Sequence, residues 1–158
     1  MNNKQVINKK TIIATNRRAR FEYFIEDKFE TGIALLGAEV KALRQGKISL
    51  EDAYVLENNN QMVVVNMHIG YYDKAYTNDY ANKRQRKLLL HRREINKIIG
   101  KIKQKGFSSV PLSIYFNSKN IAKLEIALVK GKQLHDKRET LKQKDWDRQK
   151  HRILKSGA

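Results

Sequence analysis

Cysteine is absent from this sequence of 158 residues, and acidic residues are scarce beside basic ones. Without cysteine the chain forms no disulfide, no thiolate metal site and no catalytic thiol, which fits a reducing compartment. The 33 Lys and Arg residues outnumber the 16 Asp and Glu residues and leave a formal net charge of +17. Such a charge repels itself unless a polyanion offsets it, so the composition indicates an RNA-binding protein.

Long apolar runs are also missing. No stretch approaches the ~20 consecutive apolar residues that cross a bilayer, and the polar residues 1–10 lack the apolar core of a secretory signal. We therefore expect a cytoplasmic protein without a membrane partner. Its length favours one globular domain.

Recognisable catalytic equipment is lacking too. Gly32 and Gly37 have the spacing of a phosphate-binding loop, but Ala38 and Glu39 stand where that loop needs lysine and a hydroxyl. The four histidines lie far apart without metal-ligand spacing, and no G-x-S-x-G motif occurs. No two of four glutamates are singled out as a pair for acid and base catalysis, and we interpret all four as surface charges: Glu22, Glu26, Glu30 and Glu39. We expect no enzyme activity, no metal and no cofactor.

Short strands separated by turns dominate the first 130 residues. Residues 20–36 predict a hairpin around a turn at 26–28, and strand pairs are predicted at 53–56 with 62–67 and at 110–116 with 121–129. Periodic apolar residues predict helices at 38–45 and 92–103, ended by Gly46 and Gly106, whereas residues 71–87 read as a long loop. The pattern is typical of a mainly β protein with short helices, folded as an OB-fold-like antiparallel barrel that leaves no open edge.

The composition changes after Gly131, where almost every residue is charged or polar. Its few apolar residues cannot offset the entropy of ordering the segment. The chain is therefore divided into a barrel at residues 1–130, with a short flexible N-terminus, and a basic C-terminal tail at 131–158 that is disordered when free.

Two basic clusters, at residues 16–20 and 83–87, precede strands and could line a groove for RNA. Four tyrosines between the clusters offer stacking surfaces for bases: Tyr71, Tyr72, Tyr76 and Tyr80. The alternative for any one cluster is solvated charge beside packing tyrosines.

Several long motifs occur in one order along residues 8–154: ATNRRARFEYFIEDKFETGIALLGAEVKALRQGKISLEDAYV, RKLLLHRREI, VPLSIYF and KGKQLHDKRET. In order and spacing they resemble the SsrA-binding protein (SmpB) family. The resemblance implies an OB-fold barrel that binds the tRNA-like domain of transfer-messenger RNA and delivers it to stalled ribosomes for trans-translation. The ribosome performs the chemistry, and we expect the protein to be a monomer.

Site residues follow from the motifs that resemble the family. On the RNA-facing side of the barrel the resemblance places Asn16, Glu30, Leu89, His91 and Lys123, and the first basic cluster adds Arg17 and Arg18. An amide can read or position RNA, and a lysine offers a point charge to phosphate. Glu30 could accept from a 2′-hydroxyl or a base amine, or it could form a structural ion pair.

The tail of this family enters the decoding centre of the small ribosomal subunit and the empty messenger channel. The resemblance therefore implies ribosome contacts for the entrance residues Gly131, Lys132, His135, Asp136, Lys137 and Arg138 and for the apolar pair Ile153 and Leu154. The mixed charges and good helix formers of this segment would permit a helix once it is bound to the ribosome. The His135 ring could stack on a base. Gln133 departs from the lysine common in the family, and His91 stands at a variable position.

Two other functions stay open at this point. A ribosome-assembly or structural ribosomal RNA-binding protein would be equally basic and tailed. A nucleic-acid-processing enzyme would require a magnesium-dependent activity for which the sequence supplies no candidate carboxylates.

Overall fold

The structure, a computed structural model, describes residues 9–157 apart from the side chain of Leu134. The predicted flexible N-terminus at residues 1–8 lies outside the described residues. Nine strands and four helices occur within the described range: β1 (Thr11–Thr15), α1 (Arg17–Glu22), β2 (Tyr23–Ile33), α2 (Gly37–Arg44), β3 (Ile48–Ser49), β4 (Tyr54–Asn58), β5 (Gln61–Val65), β6 (His68–Ile69), β7 (Arg86–Leu89), α3 (Arg92–Ile102), β8 (Phe107–Phe116), β9 (Ala122–Gly131) and α4 (Leu134–Ser156).

Six strands close into an antiparallel barrel. Going round it, β8 pairs with β4, β4 with β5, β5 with β7, β7 with β2 and β2 with β9, and β9 returns to β8. β1 adds to the far half of β8, and β3 pairs with β6 in a small separate ladder. The predicted mainly β fold with short helices and an antiparallel barrel is confirmed. Closure of the ring satisfies strand edges that would otherwise be exposed.

Helices α2 and α3 pack onto the barrel core, as their apolar spacing predicts. Ala42 and Leu43 of α2 are fully buried, and Ile95 and Ile98 of α3 lie in the same apolar cluster. Gly46 has φ +75°, a left-handed conformation that ends α2 and that residues with a β-carbon adopt only with strain. Both predicted helices are therefore confirmed.

Asparagines make the tight turns between paired strands. Asn59 and Asn60 have positive φ between β4 and β5, and Asn120 has positive φ between β8 and β9. Asparagine tolerates this left-handed region better than most residues. The two strand pairs predicted around these asparagines are present.

The hairpin predicted at residues 20–36 is wrong. Residues 17–22 form α1, and β2 then runs as one strand of 11 residues with a bulge between Ile25 and Asp27, where the turn was expected. β9 pairs along almost all of β2, and this distant partner holds the polar middle of β2 extended. The sequence also gave no indication of β1.

Helix α4 extends from the end of β9 and leaves most of its side chains exposed. Trp146, Ile153 and Leu154 are 58, 68 and 73% exposed, so the segment adds little to the core, as the composition predicts. Disorder of this segment in the free protein stays a prediction. Among residues 9–157, no helix combines the length and apolar character needed to span a membrane.

Candidate nucleic-acid interface

One outer face of the barrel brings together three of the residues predicted from sequence. Gly32 of β2 lies directly opposite Leu89 of β7 on one side and Lys123 of β9 on the other. Directly opposed residues point to the same face of a sheet, and so does Glu30, two residues before Gly32. We call Glu30, Gly32, Leu89 and Lys123 the barrel face.

Glycine at position 32 lets the neighbouring leucine lie flat across the strand. A β-carbon there would stand 3.2 Å from the β-carbon of Leu89, closer than neighbouring side chains normally approach. Leu89 is 56% exposed in this position. The barrel face therefore offers an apolar side chain next to the cation of Lys123.

Glu30 is held as a carboxylate at the margin of this face. The Tyr115 hydroxyl donates to Glu30 Oε2, and Lys10 Nζ lies 3.4 Å from the same oxygen and 4.6 Å from the centre of the Tyr115 ring. The hydrogen bond from Tyr115, with the help of Lys10, holds the pKa of Glu30 below its usual value. Burial, followed by the bond to Glu30, raises the pKa of Tyr115. Tyr115 therefore stays protonated and Glu30 ionised at neutral pH.

A depression of about 340 Å³ adjoins this carboxylate. Its charged lining comprises Lys10, Lys119, Lys123 and Glu30. Three ammonium groups outnumber the one carboxylate, so the local charge favours a phosphate.

A second groove, of about 410 Å³, runs between β7 and the start of α3. It is lined by Gln61, Lys87, Leu88, Leu89, Leu90, His91, Arg92 and Ile95. His91 caps α3, since its backbone N–H donates to Glu94 Oε2 at 3.1 Å while its ring stays exposed. The mixture of apolar floor and cationic rim suits a base with its phosphate. Leu89 belongs to both the groove and the barrel face.

Asn16 is buried, and its amide is fully engaged. Nδ2 donates to the carbonyls of Leu50 at 3.2 Å and Pro111 at 3.0 Å, and Oδ1 accepts from the Ala19 N–H at 3.1 Å. The side chain is 2% exposed. In this conformation the amide serves the fold, because it fixes the start of α1. A part for Asn16 in RNA binding stays a prediction.

The first turn of α1 carries Arg17 and Arg18. Arg17 is exposed, whereas Arg18 Nε lies 2.8 Å from Glu22 and its NH1 lies 3.4 Å from Asp52. The hydrogen bond to Glu22 is the main reason why the pKa of Arg18 is raised. Arg18 lines a depression with Asp52 and Tyr54 that shares no lining residue with the barrel-face depression. The structure therefore places Arg18 outside the depression beside Glu30.

The basic cluster at residues 83–87 divides into surface and interior charges. Arg86 is fully buried, and its Nε lies 2.5 Å from Glu39 Oε2. Arg84 also binds Glu39, with its Nε 3.1 Å from Oε1. Glu39 was interpreted from the sequence as a surface charge, and that interpretation is wrong: it is fully buried. The alternation of β7, with Leu88 inward and Lys87 outward, is the sequence signal that could have placed Arg86 inside.

The root of the tail is ordered against α1 and β2. The Lys132 N–H donates to the Glu22 carbonyl at 2.9 Å, and its ammonium donates to Thr140 Oγ1 at 2.9 Å and lies 5.1 Å from the Phe24 ring centre. Asp136 Oδ2 accepts from the Gln133 N–H at 3.3 Å, which caps α4.

Other predicted tail residues are spread along α4. Gly131 ends β9, His135 and Arg138 are exposed, and Lys137 is partly buried, all around the first turn of the helix. The exposed pair Ile153 and Leu154 lies near the other end, about 27 Å away at 1.5 Å per residue. The predicted tail residues therefore form two groups, one at each end of α4.

Comparison with known proteins gives one consistent family. The profile of the SmpB protein family matches residues 13–156. An "SsrA-binding protein" from Wolbachia sp. subsp. Drosophila simulans (strain wRi) is 55% identical over 92% of this chain and 97% of its own length. Those from Ehrlichia canis (strain Jake) and Rickettsia bellii (strain OSU 85-389) are 52 and 51% identical, over 91 and 92% of this chain and 97% of their own lengths.

A solved structure described as "tmRNA-SmpB: a journey to the center of the bacterial ribosome" contains a similar chain. It superposes with a TM-score of 0.65 at 39% identity, covering 81% of this chain and 93% of that chain. The similarity therefore extends from sequence to fold.

Proposed function

Because the chain belongs to the SmpB protein family, we propose that it binds transfer-messenger RNA and delivers it to stalled ribosomes for trans-translation. The observation that carries this function is the barrel face, where Glu30, Leu89 and Lys123 meet from three different strands. These three residues are spread over 94 positions of the sequence, yet they form one continuous surface whose chemistry suits RNA. The net charge of +17 supports the same class of partner.

On the barrel, each group has a separate task. Lys123, with Lys10 and Lys119 beside it, binds backbone phosphates. Leu89 and the His91 ring contact bases in the neighbouring groove. Glu30, kept ionised by Tyr115, accepts a hydrogen bond from a 2′-hydroxyl or a base amine.

Helix α1 is the second barrel contact. Asn16 acts as a positioning residue, because its amide fixes the start of the helix that carries Arg17 and Arg18. Arg17 is free to meet phosphate. Arg18 exchanges its carboxylate partners for phosphate when RNA binds.

The tail binds the small ribosomal subunit. Its entrance group, with His135, Lys137 and Arg138, lies in the decoding centre, and Ile153 and Leu154 lie further along the empty messenger channel. We propose that α4 is disordered in the free protein and becomes helical on the ribosome. Its exposed apolar residues support this order of events.

The chain contributes binding and positioning, and the ribosome supplies the chemistry. We therefore propose that the protein is not an enzyme, needs no cofactor and works in the cytoplasm, where its RNA partners are. A structural ribosomal protein is the alternative, and it differs by being present on every ribosome.

The test is the RNA that the full chain recovers from cells. One dominant transfer-messenger RNA is expected after affinity purification and sequencing. Recovery of mainly ribosomal RNA, with one copy of the protein on every ribosome, would support the alternative instead. Lys123→Glu should reduce the recovered RNA, whereas Lys105→Glu, an equal change of charge at an exposed position after α3, should not. Affinity should also fall with salt, by about 0.9 in log-log slope per duplex phosphate neutralised and about 0.7 on single strands.

A further inference from the structure

The connection between β6 and β7 contains a loop that closes on itself. Asn78 Oδ1 accepts from the Tyr72 N–H at 3.3 Å, and Asn78 Nδ2 donates to the Tyr72 carbonyl at 3.2 Å. The Ala75 N–H donates to the same carbonyl at 3.1 Å. Residues 72–78 are therefore fixed at their base by both the backbone and a side chain.

The same loop is fastened to the rest of the protein on both sides. Lys47 Nζ lies 2.6 Å from Asp73 Oδ1 and donates to the Tyr71 carbonyl at 3.1 Å. The Tyr80 hydroxyl donates to the Gly70 carbonyl at 2.7 Å, and the Tyr71 ring packs 5.4 Å from the Tyr80 ring. These contacts give the loop a defined orientation although it has no regular secondary structure.

Tyr76 lies within this fixed loop and buries none of its side chain. Its relative exposure is 107%, compared with 46% for Tyr54 and Tyr71, the next most exposed tyrosines of the described residues. Burial of a tyrosine removes about 150–250 Å² of surface from water and stabilises the fold, but the Tyr76 ring contributes no such stabilisation. Both faces of the ring are open to a planar partner.

We propose that Tyr76 is an RNA-binding residue that stacks on an unpaired base, at a site separate from the barrel face. The inference rests on the proposed function, because it takes the partner to be RNA. Three cations near the loop outnumber its two carboxylates, Asp73 and Asp79. Lys74 is in the loop, Lys47 pairs with Asp73, and Lys41 lies 5.3 Å from the Tyr72 ring centre. Such a setting matches a phosphate chain with a base turned outward.

The fixed loop strengthens stacking because little mobility is lost when a base binds. A ring on a loose loop would lose backbone freedom on stacking, whereas this loop is already ordered by its internal bonds. Seven residues join the loop to β7, which carries Leu89 of the barrel face.

The test compares Tyr76→Ala, Tyr76→Leu, Tyr76→Phe and Tyr76→Trp in the full chain. Binding is measured in one arm to the tRNA-like domain of transfer-messenger RNA and in the other to small ribosomal subunits. Stacking is worth about 1 to 3 kcal/mol per base, so the alanine variant should bind roughly five- to 150-fold more weakly in one arm. Phe and Trp should restore affinity and Leu should not. Thr77→Ala, at the exposed neighbouring position, is the matched control.

A spectroscopic measurement separates stacking from a general effect on the fold. Tyr76→Trp in a Trp146→Phe background leaves one tryptophan in the chain, and its emission should be quenched when RNA stacks on it. Unchanged affinity of Tyr76→Ala in both arms would overturn the proposal, and so would full rescue by leucine. Failure of the parent protein to bind either RNA would instead overturn the proposed function.

Discussion

Replacement of Glu39 by glutamine should destabilise the protein far more than its conservative chemistry suggests. Glu39 is fully buried and accepts hydrogen bonds from Arg84, Arg86 and the Leu36 N–H. Glutamine keeps the shape but removes the negative charge. Arg86, itself fully buried, would then hold an uncompensated positive charge inside the barrel.

The expected magnitude follows from that burial. Removing one partner of a buried ion pair costs about 3 to 5 kcal/mol, since the remaining charge stays desolvated. For a domain of this size each kcal/mol lowers the melting temperature by about 2 to 4 °C, which gives a fall of roughly 6 to 20 °C. Urea denaturation of the parent and Glu39→Gln proteins measures the free-energy difference directly.

A surface ion pair provides the matched control. Asp27 Oδ2 lies 2.5 Å from Lys97 Nζ, but these side chains are 40 and 55% exposed. Asp27→Asn should therefore change the free energy of unfolding by only about 0 to 1 kcal/mol. If Glu39→Gln is no more destabilising than Asp27→Asn, the assignment of a buried counter-charge to Arg86 is refuted.

Three further outcomes follow from the structure. Burial alone would raise the pKa of Glu39, but Arg84, the Leu36 N–H and Arg86 together lower it. The stabilisation from ionised Glu39 is therefore complete above the unfolded pKa of about 4.3 and is lost as the pH falls through the lower folded pKa. The difference in stability between the parent and Glu39→Gln proteins should shrink in acid, and a constant difference down to pH 2 contradicts this. Truncation after Gln133 keeps the Lys132 N–H bond to the Glu22 carbonyl and should leave cooperative melting and RNA affinity intact while abolishing peptide tagging on stalled ribosomes; loss of RNA affinity would make the tail part of the RNA site. His135→Ala should slow peptidyl transfer to alanyl transfer-messenger RNA on ribosomes with truncated messages, and His135→Phe should restore it if the ring stacks, whereas parental rates for the alanine variant would remove His135 from the mechanism.

Local patterns were enough to predict six of the thirteen helices and strands within residues 9–157. Helices α2 and α3 follow from apolar residues at helical spacing, and the β4–β5 and β8–β9 pairs follow from alternation around asparagine turns. These signals depend on neighbours in sequence. The same locality explains the wrong hairpin at residues 20–36, because nothing near β2 reveals that β9 will pair along its length.

The candidate site was recognisable from sequence for a different reason. Its residues were placed by motifs that resemble a known family, and the structure adds where each of them lies. It gathers Glu30, Leu89 and Lys123 on one face and places Arg17 and Arg18 on α1, which precedes β2. Strand register decides this, since it sets which distant residues stand opposite each other.

By itself, then, the sequence determined the charge, two helices, two strand pairs, the apolar-poor tail and the family motifs. Only the tertiary structure decided which polar residues are removed from solvent. Asn16 and Pro111 are 95 positions apart and Glu39 and Arg86 are 47 apart, yet each pair is joined inside the protein. A buried polar group is stable only with its partner, and such partners are set by how the barrel closes rather than by neighbouring residues.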